Sequence, residues 1–182
     1  MDIFEQAFAI VVGNEEGFTT NSNDPGNWTG GRVGAGLLRG TKFGVSASAY
    51  PGLDIASLNL SDARMIYRRD FWDRMVADRL PTRLSVVVFD AAVNCGLSRA
   101  AKWLQQAVGT LPDGIIGDAT LQAVSVAQAR GGEPAICAEF DALRLVFMAS
   151  LPTWRSFGHG WARRICRLPY ETLAIAAQGE AI

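Results

Sequence analysis

Cysteine and histidine are scarce in this chain. Its three cysteines, Cys95, Cys137 and Cys166, are odd in number and widely spaced, with no CxxC pair. The single histidine, His159, has no cysteine or acid at ligand spacing. A disulfide framework and a zinc site are therefore not expected, and free thiols suit folding in a reducing compartment. Net charge is equally scarce: 17 Lys and Arg stand against 18 Asp and Glu, leaving −1. Nucleic-acid binding needs a concentrated basic face. The clusters YRRDFWDR and WRSFGHGWARRICR are short and interrupted by acids or aromatics, so no nucleic-acid partner is expected. Apolar runs are short as well. IFEQAFAIVVG is broken by Glu5 and lacks a basic leader. Neither a signal peptide nor stable membrane insertion is expected, which implies a cytoplasmic chain until another factor releases it. Repeats and low-complexity tracts are absent, which excludes solenoids.

What is present is a globular composition: 182 residues, 49% of them hydrophobic. That suffices for one domain or two small closely packed pieces. Helical spacing of Ile3, Phe4, Phe8, Val11 and Val12 predicts a helix over 2–16, with Asp2 as its cap. Residues 18–45 carry many glycines and the turn signals NDPG and TGG, which predict a long ordered loop, with room for a short hairpin. SASAYPG reads as a short helix stopped by Pro51, and the next helix starts at a Ser61 cap. TRLSVVVFDAAVNCG is an apolar helix closing on Gly96. Further helices follow over SRAAKWLQQAVG, over a segment capped by Asp118, and over one with Pro134 in its first turn. The last runs from Gly160 to Gln178, and Pro169 is expected to kink or divide it. The chain is mainly α with one long irregular N-terminal loop. A boundary is expected near Pro81, giving regions 1–82 and 83–182 packed as one compact, monomeric unit without a flexible tether.

Three groups of residues bear chemistry. Glu15 and Glu16 stand where the first helix runs out, at the negative end of its dipole. Apolar backing and that dipole favour a neutral carboxyl, which is what a general acid requires. A solvated terminal acid is the plainer reading of the same pair. Asp24, nine residues beyond Glu15, can fold back to supply a second carboxylate, or simply cap the NDPG turn. Asp90 and Asn94, four apart on an apolar helix, face either a buried partner or a cleft. Trp103, Gln105 and Gln106 suit either sugar recognition or the core, and His159 reads as structural or peripheral.

The motifs EEGF, NDPGN, GTKFGVSASAYP and MIYRRDFWD, in this order, resemble glycoside hydrolase family 108, the N-acetylmuramidases of phages and bacteria. The family's Glu-Gly-Gly-Tyr motif falls on Glu15, with Glu16 replacing the first glycine and Phe18 the tyrosine. Asp24 and Pro25 match its Asp-Pro-Gly-Gly motif, with Asn27 in place of the last glycine, and Thr41, Phe43 and Gly44 match its Thr-x-Tyr-Gly-Ile motif. WTGGRVGAGLLRG intervenes, as in a longer-looped branch. FDAAVNCGLSRAAKWLQQAVG, PDGIIGDATLQAV and FGHGWARRI resemble the family's peptidoglycan-binding region. The resemblance implies a lysozyme-like helical fold, with 1–82 catalytic and 83–182 binding peptidoglycan. It implies an endolysin-type muramidase cutting the bond between N-acetylmuramic acid and N-acetylglucosamine, released to the cell wall or periplasm, without metal or cofactor. Glu15, Asp24 and Thr41 are then catalytic, and Asn27, Trp28, Phe43, Tyr50, Asp90 and Asn94 bind substrate. A lytic transglycosylase using the same Glu15, or a wall-binding module without activity, are the alternatives.

Overall fold

A computed structural model of the chain describes residues 2–13 and 17–179. It divides into two compact units, Phe8–Arg68 and Met1–Ala7 with Arg69–Ile182. The sequence leads to an expected boundary near Pro81, whereas these units divide at Arg68.

The first helix, α1 (Ile3–Val11), opens on Asp2, whose Oδ1 accepts the Phe4 N–H at 3.0 Å. It is shorter than the periodicity predicts. The Val12 and Gly13 N–H groups both turn back to the Phe8 carbonyl, and Gly13 takes φ +75°. A residue without a Cβ enters that left-handed region at little cost, so it ends the helix.

In the unit Phe8–Arg68, three two-residue strands form an antiparallel sheet: β1 (Phe18–Thr19), β2 (Thr41–Lys42) and β3 (Val45–Ser46). The β2–β3 turn is Phe43-Gly44, both with positive φ, 51° and 75°. Two positive φ values give a turn whose twist matches that of the strands. A Cβ on Gly44 would collide with the Tyr67 hydroxyl, which donates to the Phe43 carbonyl at 3.2 Å. The expected helix over SASAYPG is absent. Val45 and Ser46 join the sheet and the following residues make turns, with the Ala49 and Tyr50 N–H groups bonded to the Ser46 carbonyl. The helix α2 (Leu60–Tyr67) is capped by Asn59, not Ser61, in a reciprocal box with Asp62. Phe8 meets Tyr67 edge-on at 5.6 Å, and Phe43, Val45, Ile55 and Leu58 are buried in this unit.

The larger unit is built around α3 (Thr82–Cys95). Leu84, Val86, Val87, Val88, Phe89, Ala91 and Ala92 are all buried. A helix apolar on every side must be enclosed, and α4 (Leu97–Ala107), α5 (Asp118–Ala149) and α6 (Trp154–Gly179) pack on it or on one another. Phe4, Trp72 and Phe89 form an edge-to-face trio with centroids 5.5–6.0 Å apart. Gly96, at φ +89°, separates α3 from α4 as expected. Gly117, not Asp118, caps α5, and Gly132 breaks it at φ +76° and ψ 165°. Glu133, just after that break, accepts the Leu84 N–H at 2.8 Å, satisfying a donor in the first turn of α3. The last helix starts at Trp154 and runs through Pro169 without dividing.

Candidate active site

The loop between β1 and β2 is held by backbone and side-chain bonds rather than by a core. Asp24 begins a short 3-10 turn, Pro25–Asn27, and its Oδ1 accepts the Gly26 N–H at 2.8 Å. The turn-capping role expected of an Asp before Pro-Gly is therefore real. The residue remains exposed, so its carboxylate is also open to solvent.

Asn27 is the hub. It is fully buried; its Nδ2 donates to the Asn21 carbonyl at 2.9 Å, and its carbonyl accepts the Arg39 and Gly40 N–H groups. Its Oδ1 accepts the Thr41 hydroxyl at 2.7 Å. One residue thus ties Asn21 and the motifs that begin at Asp24 and Thr41 together, through its side-chain amide and its backbone. With its proton committed to Asn27, the half-buried Thr41 hydroxyl offers its lone pairs to any further partner.

Trp28 is half-buried, its indole N–H donating to the Ser22 carbonyl at 2.9 Å. What it can present is a ring face. Leu38 bridges it across the intervening segment, where the Thr29 N–H bonds the Leu37 carbonyl, so WTGGRVGAGLLRG folds back on itself. Tyr50 is half-buried. Phe43 is only 4% exposed, so its ring is interior and it meets the surroundings through its backbone. Asn27 likewise acts from within.

The structure therefore brings Asp24, Asn27 and Thr41 together in one hydrogen-bonded group. Glu15 and Glu16 lie outside the described residues. Asp90 and Asn94 belong to the other unit. Asp90 is 1% exposed, and its carboxylate meets Arg144 and Arg164, each at 2.6 Å. Asn94 is exposed and donates to the Asp90 carbonyl at 2.8 Å. For Asp90 the buried-partner reading fits the geometry, and what sequence inspection missed is the pair of arginines. Arg144 had a signal: it falls at helical spacing between Phe140 and Met148, on a face where a charge demands a partner. Gln105 is also internal, donating to Asp113 Oδ1 at 2.6 Å, and this bond holds the Asp113 carboxyl below the usual range.

A mainly helical chain with a small antiparallel sheet and a long bonded loop defines a lysozyme-like fold. The glycosyl hydrolase 108 family model matches residues 8–96, and the model of a predicted peptidoglycan domain matches residues 99–166. The chain is also similar to a solved structure described as that of Brucella abortus SagA, with 31% identity, 94% of each chain covered and a TM-score of 0.75. None of the curated proteins matches it. The chain belongs to the glycosyl hydrolase 108 family, followed by that peptidoglycan domain. Together the two indicate a peptidoglycan-acting glycosidase.

Proposed function

We propose that the protein is an endolysin-type N-acetylmuramidase that hydrolyses the β-1,4 bond between N-acetylmuramic acid and N-acetylglucosamine. The observation that carries this reading is the Asp24–Asn27–Thr41 group: an exposed carboxylate that accepts the Gly26 N–H, and a hydroxyl bonded to the buried Asn27 amide in the same turn. In the reaction Glu15 gives its proton to the leaving glycosidic oxygen. Positive charge then develops on the sugar, and the Asp24 carboxylate lowers its energy or orients the attacking water. Thr41, an acceptor once its proton is committed, shares the water. The exposed face of Trp28 and the ring of Tyr50 give saccharide rings an apolar surface. The second unit holds the polymer while the first cuts it, and another factor delivers the protein to the wall.

The test is digestion of purified peptidoglycan followed by mass spectrometry. A new reducing end supports hydrolysis; a 1,6-anhydro end assigns the protein to the transglycosylases. Glu15→Gln is expected to abolish release with unfolding unchanged, since general acid catalysis supplies roughly a hundred- to ten-thousandfold. Glu16→Gln is expected to keep most activity. Swapped results move the acid to Glu16.

A further inference from the structure

Two charged side chains on the walls of one cavity in the larger unit each carry a buried atom with no hydrogen-bond partner among the described residues. The cavity, of about 220 Å³, lies among α3, α5 and α6, with Arg83, Pro134, Cys137, Asp141, Pro169 and Thr172 on its walls. Asp141 is 8% exposed; its Oδ1 is closed off from solvent and accepts no hydrogen bond among the described residues. The Arg83 Nε is likewise closed off and donates to nothing among them. Arg144 only partly offsets Asp141, because it is ion-paired with Asp90 at 2.6 Å. Burial pushes the Asp141 carboxyl up to about 7, Asp90 adding to the rise and Arg144 opposing it. Each such group left alone in an interior costs on the order of 1–3 kcal/mol, more when charged.

The cavity's remaining chemistry narrows what fills it. Burial pushes the Cys137 thiol up to about 12, so it is a neutral wall and no nucleophile. The Thr172 hydroxyl already donates to the Leu168 carbonyl at 2.9 Å. At ~30 Å³ for each water, the space holds roughly seven waters, which is ample for a group of alanine size. An acid and a base, each with an unsatisfied buried atom on one cavity wall, suit a ligand carrying both charges.

We propose that this cavity binds the zwitterionic α-amino acid group of an alanine-sized ligand, its ammonium against Asp141 and its carboxylate against Arg83. Such a group comes either as a free amino acid or at the end of a peptidoglycan stem-peptide branch. The second source rests on the peptidoglycan reading above; the charge pairing does not.

Calorimetric or NMR titration of the full chain tests it. The probes are D-alanine, N-acetyl-D-alanine, D-alaninamide, and the tripeptide L-Ala-γ-D-Glu-diaminopimelate, whose side-chain end carries a free α-amino acid group. Removing either charge from alanine is expected to weaken binding by about tenfold or more, equivalent to ~1.4 kcal/mol. Asp141→Asn and Arg83→Gln are each expected to do the same for the tighter of the two zwitterions, while Glu15→Gln leaves binding unchanged. Tripeptide binding tighter than alanine assigns the stem peptide; the reverse assigns the free amino acid. Equal binding of the N-acetyl or amide probe, or no binding of either zwitterion, overturns the proposal even where the lytic assay succeeds. The probe series uses the unaltered protein, so the answer does not depend on a variant folding.

Discussion

The Arg144 guanidinium stands 2.6 Å from Asp90 Oδ2, with the two side chains 0% and 1% exposed. Arg164 approaches the other oxygen, donating from Nε at 2.7 Å. Removing one member of a buried pair strands the other, at a cost of roughly 3–5 kcal/mol. Asp90→Leu, which strands the fully buried Arg144, is expected to lose stability on that scale in urea unfolding. Asp90→Leu with Arg144→Met should recover much of it, since an apolar replacement of a buried pair is often close to neutral. A single variant as stable as the parent would contradict the pairing.

Asp24 has a structural task and a proposed chemical one, and two substitutions separate them. Asparagine keeps an oxygen for the Gly26 N–H; alanine does not. Asp24→Asn is expected to keep the unfolding midpoint and sacculus binding but lose most turnover. Asp24→Ala should lose turnover and also about 1 kcal/mol of stability, the usual cost of a lost cap. Normal turnover in Asp24→Asn would leave the residue only its turn and shift attention to Thr41.

A fragment of residues 1–82 is expected to be poorly soluble and without cooperative unfolding. Phe4 and Trp72, 2% and 0% exposed, pack on Phe89, which such a fragment lacks. Circular dichroism and light scattering check this. A folded, lytic fragment would show that those aromatics find another arrangement.

Asp141 makes a prediction about pH. Its carboxyl titrates at about 7 in the folded chain against a usual 3.8. In that window the folded state holds a proton that the unfolded state has lost, so stability falls as pH rises. The contribution is complete below about 3.8 and gone above about 7. At ~1.36 kcal/mol for each pH unit it amounts to on the order of 4 kcal/mol. Asp141→Asn should flatten this part of the stability–pH curve, as measured by denaturant unfolding at a series of pH values.

Much of this was legible in the sequence, and the failures have physical reasons. The enclosed character of α3 follows from VVVFDAA, and Gly96 announces its end. The NDPG turn and its Asp cap are local chemistry. Strands of two residues carry no usable periodicity, so Val45 reads as the end of the loop and Ser46 as the start of a helix. Asn59 caps in place of Ser61 because it can exchange bonds with Asp62. Asp90 showed itself as a polar residue on an apolar helix, but its partners lie on α5 and α6, and no local pattern announces a pairing across 74 residues. The Asn27 hub was hidden for the same reason. Its bond to Thr41 spans 14 residues, and an Asn in the place of a motif glycine looks like a surface substitution.

The larger unit is assembled from the two ends of the chain, Met1–Ala7 and Arg69–Ile182. Synthesis is vectorial, which gives this arrangement a consequence in time. Phe4 leaves the ribosome early, yet Phe89 must still be made before its aromatic trio can close. At 5–20 residues per second that interval is roughly 4–17 s, far longer than the helix itself needs to form. During it Phe4 can come to meet Trp72 but not Phe89, so the trio stays open on one side. A variant that slows translation between residues 5 and 89 would lengthen that interval without altering a single native contact.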